Sequence, residues 1–188
     1  MGKRSSFERN PRDFYRTPRA AVIPLLPYLG PLSCRFVEPC AGDGALITHL
    51  SEAGHKCVFA SDIHPLAPGI AELDALTLDR AMIKFAFDFI ITNPAWARHL
   101  LNPMIDHFLT IAPTWLLFDA DWAHTETAAE LMGFCSRIVS VGRVQWIEGS
   151  GTAGVDNAAW YLFEPGGVSR RTIFEGASFG PRTYRRQN

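Results

Sequence analysis

The chain has 188 residues, a length that predicts one domain, because single domains usually take roughly 100 to 200 residues. Hydrophobic residues make up 47% and charged residues 20%, a composition that excludes a disordered chain. No stretch approaches the roughly 18 uninterrupted apolar residues of a membrane span, so we expect no membrane partner and a cytoplasmic location. Four cysteines without CxxC spacing predict neither a metal site nor a disulfide framework.

The net charge of −1 conceals basic ends on an acidic body. Residues 1–20 carry six Lys and Arg against two acidic residues, and residues 166–188 carry five Arg against one. Basic ends predict an anionic partner such as nucleic acid, although solvated tails would have the same composition. We expect a single domain over 1–188, with a basic arm at 1–16 and a basic tail at 166–188.

Strand and helix signals alternate along the chain. Thr17-Pro18 can open a helix that Pro24 and Pro27 keep short or kinked. Further helices are predicted over 44–53, from Asn102-Pro103 onward and over 125–132, with Asp43 and Gly54 bounding the first of them. Predicted strands cover 35–38, 58–61, 87–92, 115–118, 138–147 and 158–163.

The last two predicted strands are separated by a Gly- and Ser-rich loop at 148–157 and not by a helix. Strand and helix alternation that closes in such a hairpin predicts an α/β fold. We expect a mostly parallel sheet with helices on both faces and an antiparallel strand at the C-terminal end.

The loop after the first strand, Glu38-Pro39-Cys40-Ala41-Gly42-Asp43-Gly44, is a candidate ligand site. In open α/β sheets the ligand lies beyond the carboxyl ends of the strands. The glycines allow close approach of the backbone, and free amides at the helix start favour an anionic group. The third glycine of the dinucleotide fingerprint is missing, which disfavours a nicotinamide cofactor. A tight strand-to-helix turn would also explain these glycines.

Two acidic residues follow the next predicted strands. Asp62 lies 18 residues after Gly44, close to the roughly 20-residue offset at which an acidic residue binds ribose hydroxyls. Asp74, beside Ala75, falls where a weakly predicted third strand would end, and it could accept a hydrogen bond from an adenine amino group. A surface carboxylate in a polar loop would have the same pattern.

Asn93-Pro94-Ala95-Trp96 follows the strand at 87–92. Four features now follow one another in the chain: EPCAGDG at 38–44, Ser61-Asp62, Asp74 and TNPAW at 92–96. Their order resembles that of the class I S-adenosylmethionine-dependent methyltransferases, and among them those that methylate exocyclic or amide nitrogens. The segments at 14–18 (FYRTP) and 156–161 (DNAAWY) resemble small adenine-specific DNA methyltransferases of phages and prophages. The resemblance covers residues 13–165. Ala95 departs from it, since the family usually has a second proline there.

The resemblance implies a Rossmann-like class I methyltransferase fold, S-adenosylmethionine as cofactor and no metal. The catalytic residues that it implies are Asn93, Pro94 and Trp96. The cofactor-binding residues that it implies are Thr17, Pro18, Glu38, Pro39, Ala41, Gly42, Gly44, Asp62, Asp74, Ala75 and Asn93.

The chemistry explains why such a turn is needed. An aromatic amine is a poor nucleophile because its lone pair is delocalised into the ring. The Asn93 side-chain oxygen and the Pro94 carbonyl can each accept an amino hydrogen, and Trp96 offers a face for stacking a base. Orientation is then the main catalytic contribution, and no dedicated general base is required.

The expected substrate is the exocyclic amine of adenine in DNA. The base would be flipped out or single-stranded, since the site cannot reach into a duplex. The chain leaves no room for a recognition domain, so we expect short or relaxed specificity from the loop at 148–157 and the basic ends. Four residues near strand ends are candidate phosphate contacts, although solvated side chains would fit equally: Arg98, His99, His124 and Arg143.

Other interpretations remain open at this point. The same cofactor could serve an RNA base or a protein glutamine amide. A catalytically lapsed nucleic-acid-binding module of the same fold has Ala95 as its only support. We expect a monomer or a weak dimer.

Overall fold

An eight-stranded sheet organises the chain in the computed structural model, which describes residues 15–146, 154, 156–167 and 171–176. Its strands are β1 (Arg35–Glu38), β2 (Lys56–Asp62), β3 (Ala71–Glu72), β4 (Phe89–Thr92), β5 (Thr114–Asp119), β6 (Cys135–Arg143), β7 (Asn157–Phe163) and β8 (Ile173–Glu175).

The strand order is β3-β2-β1-β4-β5-β7-β6-β8. Strands β1 to β5 pair in parallel, while β7 lies antiparallel between β5 and β6. The predicted fold class is therefore confirmed, with the antiparallel strand inside the sheet. The short strand β8 pairs in parallel with β6 and falls within the segment 166–188, where no strand was predicted. Residues 168–170 and 177–188 of that segment, and 1–14 of the N-terminal arm, lie outside the described residues.

Alternating strand residues build a separate core on each face of the sheet. One core contains Val37, Ile90 and Leu116. Their sequence neighbours Phe36, Ile91, Trp115 and Leu117 belong to the other core. The two clusters show that both faces of the sheet are buried. This agrees with the prediction that helices cover both faces, since strands buried on both sides need helices on both sides.

Within the described residues, three α-helices cover the sheet: α1 (Arg19–Val22), α2 (Ala45–Glu52) and α3 (Arg98–Leu109). Helix α1 continues as a 3₁₀ helix over Ile23–Tyr28, which is the short N-terminal helix predicted from its prolines. Helices α1 and α2 pack on the core that contains Phe36, and α3 packs on the opposite core. None of the helices in the described residues is long and apolar enough to cross a membrane.

Helix α2 was predicted over 44–53 and lies one residue inside these boundaries at each end. Gly44 precedes it in the left-handed conformation, with φ of 78°, and the Asp43 side chain accepts a hydrogen bond of 3.0 Å from the Ala45 amide. Gly54, with φ of 92°, donates its amide to the Ser51 carbonyl and closes the helix. The glycine at each end is required because other residues rarely adopt positive φ.

Two predicted helices differ from the structure. Helix α3 begins at Arg98 and not at Asn102-Pro103, so Pro103 lies inside it. The buried stripe of α3 starts at Leu101 and continues through Phe108, and its packing outweighs the backbone hydrogen bond that the proline cannot donate.

The helix predicted over 125–132 is absent from the structure of these residues. Instead, 3₁₀ helices occupy Ala120–His124, Glu126–Ala128 and Leu131–Phe134. Thr125 interrupts them in an extended conformation, and both its amide and its hydroxyl donate to the Trp122 carbonyl. A threonine that satisfies its backbone locally in this way competes with a continuous helix.

Candidate active site

The carboxyl ends of β2, β1 and β4 lie side by side, because these strands are parallel neighbours in the sheet. The chain leaves this edge, called the carboxyl edge below, through the loop at 39–44, through Asp62 and through Asn93. The topology therefore brings together the three sequence features that predicted a site.

Hydrogen bonds to the end of β2 hold the loop after β1. The Ala41 amide donates to the Ser61 carbonyl at 2.9 Å, and the Gly42 amide donates to Asp62 Oδ2 at 2.8 Å. Asp62 Oδ1 accepts a second bond of 2.8 Å from the His64 amide. Asp62 thus shapes the loop, a role that the sequence did not indicate. Its predicted contact with a ribose stays a prediction. The bonds to the Gly42 and His64 amides leave room for such a contact, because a carboxylate oxygen can accept more than one hydrogen bond.

Glu38 is the last residue of β1, directly before this loop, and it is buried, with 1% of its surface exposed. Its Oε2 has no hydrogen-bond partner among the residues that the structure describes. Burial raises the pKa of this carboxyl well above its ordinary value, and the negative charges of Asp62 and Asp43 raise it further. Pro39 and Ala41 are buried beside it, while Gly44 is half-buried. A cationic group that enters this loop could therefore bind the buried Glu38 Oε2.

Asn93 is held at the carboxyl end of β4 by three hydrogen bonds. Its Nδ2 donates to Thr17 Oγ1 at 3.1 Å and to the Tyr15 carbonyl at 3.4 Å. Its Oδ1 accepts from Trp96 Nε1 at 3.2 Å. A carbonyl can only accept and an indole N–H can only donate, so these partners fix which end of the amide is which. Pro94 is buried next to it, whereas Ala95 and Trp96 are half-buried.

The extended segment 15–18 connects the two halves of the carboxyl edge. Arg16 Nε lies 3.1 Å from Asp43 Oδ2, in the loop after β1, and Thr17 reaches Asn93 after β4. Pro18 then precedes α1. The resemblance implied that Thr17 and Pro18 bind the cofactor. The structure places the Thr17 hydroxyl on the Asn93 amide, a contact across 76 positions that no local pattern could show.

Trp96 meets a second tryptophan that the sequence did not single out. The rings of Trp96 and Trp146 lie 5.3 Å apart between centroids in a T-shaped arrangement of 87°. Strand β6 ends at Arg143 and not at the predicted 147, so Trp146 belongs to the following loop. An aromatic residue near a predicted strand end at the carboxyl edge is the signal that could have found it. Of the predicted recognition loop, residues 148–153 and 155 lie outside the described residues.

Asp74 lies two residues beyond β3 and is exposed. Its Oδ1 accepts a hydrogen bond of 2.9 Å from the Leu76 amide and caps a 3₁₀ helix that begins with the buried Ala75. The Leu73 amide donates to the Asp62 carbonyl, which places this turn beside the end of β2. The predicted contact of Asp74 with an adenine ring stays a prediction.

The candidate phosphate contacts are all exposed and follow the carboxyl ends of β4, β5 and β6. Arg98 and His99 begin the first turn of α3, which Ala97 separates from Trp96. His124 ends the 3₁₀ helix after β5, and Arg143 ends β6. Their position around the carboxyl edge is compatible with a polyanion that approaches the site, since exposed basic groups provide most of the affinity for phosphates.

Comparison with solved structures identifies the fold. No family model and no curated protein matches the chain. A proposed RNA methyltransferase from Pyrococcus horikoshii aligns with a TM-score of 0.58 and 15% identity, over 84% of this chain and 90% of that one. A proposed class I S-adenosylmethionine-dependent methyltransferase from Listeria monocytogenes gives 0.55 and 11%, over 84% and 63%. The fold is that of the class I methyltransferases.

A methyltransferase subunit of a type I restriction-modification system from Streptococcus thermophilus shares this fold. Its TM-score is 0.52 at 10% identity, and the alignment covers 81% of this chain but only 45% of the subunit. These structural alignments establish the Rossmann-like fold that was predicted. At identities this low they establish the fold alone. A shared fold does not by itself determine the reaction, which has to be argued from the site.

Proposed function

We propose that the chain is an S-adenosylmethionine-dependent methyltransferase that methylates the exocyclic amine of adenine in DNA, with short or relaxed sequence specificity. The fixed amide of Asn93 is the observation that carries this proposal. Three hydrogen bonds hold it at the carboxyl edge, beside the loop after β1. A preorganised acceptor at this place suits an amine that has to be drawn toward a methyl donor.

The loop after β1 and the end of β2 fit the proposed cofactor. The buried Glu38 Oε2, which has no partner among the described residues, suits the positively charged amino group of a methionine moiety, whose charge would favour the ionised form of this carboxyl. Asp62 would hold the ribose, and Asp74 and Ala75 would hold the adenine ring. The remaining proposed contacts of the cofactor are Pro18, Pro39, Ala41, Gly42, Gly44 and Asn93, whereas Thr17 contacts the Asn93 amide.

When bound, S-adenosylmethionine supplies an electrophilic methyl carbon on a sulfonium. Asn93 Oδ1 already accepts a bond from Trp96 and has a second lone pair for one amino hydrogen of the substrate. The Pro94 carbonyl accepts the other hydrogen. These acceptors favour a tetrahedral nitrogen whose lone pair points at the methyl carbon, and the methylated nitrogen releases its extra proton to water.

A nucleic-acid base is favoured as the substrate by three features. The ends of the sequence are basic, exposed basic residues surround the carboxyl edge, and Trp96 offers an aromatic ring beside Asn93 for a base that has left the helix. The restriction-modification subunit with this fold is consistent with a DNA substrate. An RNA base is the second candidate, favoured by the likeness to the proposed RNA methyltransferase from Pyrococcus horikoshii.

Methyl transfer with labelled S-adenosylmethionine tests the proposal. Unmethylated DNA, RNA and protein are offered separately, followed by nucleoside analysis, with Asn93→Ala as the control for contaminating activity. We expect label in N6-methyladenine from DNA with the wild type alone. Label in RNA or in protein would show that RNA or protein, and not DNA, is the substrate. Cofactor binding without transfer to any of the three would support the catalytically lapsed binding module.

A further inference from the structure

Thr17 is buried, with 6% of its surface exposed, although it belongs to an irregular N-terminal segment. A buried hydroxyl requires a hydrogen-bond partner. Its partner here is the amide of Asn93, at 3.1 Å. The contact joins the segment before α1 to the turn after β4.

The two bonds donated by Asn93 Nδ2 differ in length. The bond to Thr17 Oγ1 is 3.1 Å, whereas the bond to the Tyr15 carbonyl is 3.4 Å, near the outer limit for a hydrogen bond. Loss of the Thr17 hydroxyl would therefore leave the NH₂ end of the amide with its weaker contact. The oxygen end would keep only Trp96.

We infer that Thr17 is a positioning residue whose hydroxyl holds the Asn93 amide where its oxygen meets the substrate amine. This inference rests on the proposed methyl transfer and changes the role that the resemblance implied for Thr17, which was a cofactor contact. The ion pair of the neighbouring Arg16 with Asp43 anchors the same segment to the loop after β1. Thr17 thus acts on the reaction through Asn93.

A positioning role and a cofactor contact have different kinetic consequences. A group that only orients Asn93 affects the transition state and lowers kcat, while the affinity for S-adenosylmethionine stays constant. A group that contacts the cofactor raises the KM or Kd for S-adenosylmethionine. Small displacements of an orienting group can lower a rate by up to roughly 100-fold.

Thr17→Val tests the inference, because valine keeps the shape and removes the hydroxyl, and Thr17→Ser is the matched control that restores it. Thr17→Ala serves as a second variant should valine disturb folding. We expect single-turnover methyl transfer to fall by roughly 10-fold or more in Thr17→Val, with the Kd for S-adenosylmethionine within about twofold of wild type. Thr17→Ser should recover most of the rate.

A second readout does not depend on activity. The chain has five tryptophans, so its indole N–H signals form a small set in a ¹H–¹⁵N spectrum, and Trp96→Phe identifies the one from Trp96. In Thr17→Val this signal should shift, because its acceptor Asn93 Oδ1 moves, and Thr17→Ser should return it toward wild type.

An unchanged Trp96 signal in Thr17→Val would overturn the inference. So would a weaker affinity for S-adenosylmethionine with an unchanged rate, which would make Thr17 a cofactor contact. Wild-type protein that transfers no methyl group would refute the proposed function instead, and the Trp96 signal alone would then decide whether Thr17 positions Asn93.

Discussion

Asp62 accepts a hydrogen bond of 2.8 Å from the Gly42 amide, so the end of β2 and the loop after β1 form one unit. The other carboxylate oxygen of Asp62 accepts from His64, which fixes the turn that follows β2. A residue predicted as a ribose contact therefore also shapes the loop around the proposed methionine site. Removing its side chain tests both roles at once.

Asp62→Ala should abolish most binding of S-adenosylmethionine and also lower the free energy of unfolding. Hydrogen bonds to a charged group contribute about 1.5 to 3 kcal/mol, so the loss should appear in chemical denaturation. Asp62→Asn is the matched control, because it keeps one acceptor oxygen and presents an NH₂ group to the other amide. Calorimetry that finds equal affinity in wild type and Asp62→Ala would remove Asp62 from the cofactor site.

Asn93→Ala should lower turnover by roughly 100-fold or more, as expected for one oriented polar group at a reacting centre. Asn93→Asp tests the role more specifically, since it changes only the NH₂ group. In the wild type Nδ2 lies 3.4 Å from the Tyr15 carbonyl, and the variant would place a carboxylate oxygen there. Two acceptors repel, so the aspartate should also lose most activity. Single-turnover assays measure both effects, and Asn93→Ala with wild-type activity would contradict the proposed role.

Local signals predicted six of the strands, β1, β2 and β4 to β7, and the residues at their carboxyl ends, whereas β3 was only weakly indicated and β8 was not predicted. Arg35–Glu38 is a short segment with Phe36 and Val37 at its centre, and the glycines and Asp43 that bound α2 act on their immediate neighbours. The hairpin of β6 and β7 followed in the same way from two apolar runs and a Gly-rich loop. Local patterns of this kind are independent of the rest of the fold.

The start of α3 and the 3₁₀ helices after β5 could not be predicted in the same way. Pro103 is a local signal for a helix start, but burial of Leu101 and Phe108 extends the helix past it. The contacts of Thr17 with Asn93 and of Trp96 with Trp146 join distant parts of the chain. Their partners become neighbours only through the strand order, which no single motif encodes.

Glu38→Gln should make stability less dependent on pH. The folded state raises the pKa of Glu38 above its ordinary value of 4.5, so above that pH the unfolded chain releases this proton first. Wild-type stability therefore falls as pH rises from about 4.5 toward the raised pKa, and glutamine removes this contribution.

Denaturant unfolding of wild type and Glu38→Gln between pH 5 and 8 measures the effect. The variant should gain stability relative to wild type as pH rises. A difference that stays constant over this range would show that Glu38 is ionised in the folded protein throughout.

Trp96 has a hydrogen bond to Asn93 and a proposed stacking role, and substitution can separate the two. Trp96→Ala removes the ring and should weaken binding of the substrate by roughly 1 to 3 kcal/mol, the usual contribution of one stacked base. Trp96→Phe keeps an aromatic face but removes the N–H that donates to Asn93, so it should retain substrate affinity and lower the rate of methyl transfer. Equal affinity in Trp96→Ala and wild type would refute the stacking role.

Ala95→Pro should leave activity equal or modestly higher. Both proposed acceptors come from Asn93 and Pro94, and the three bonds that hold Asn93 are formed with alanine at 95. A second proline would stiffen the turn by fixing its own φ and restricting the residue before it, a gain of about 0.4 to 1 kcal/mol at a compatible site. That gain corresponds to a few-fold change in rate at most.

Ala95→Gly is the matched control, because it loosens the same turn and should lower the rate. The competing interpretation, in which Ala95 marks a lapsed site, makes the opposite forecast. Wild type would then bind S-adenosylmethionine without transferring a methyl group, and Ala95→Pro could restore transfer. A single-turnover assay with enzyme in excess over unmethylated DNA, run on wild type and both variants, separates these interpretations. Activity in wild type that falls with glycine and persists with proline supports a working enzyme whose turn is held by Thr17, Tyr15 and Trp96.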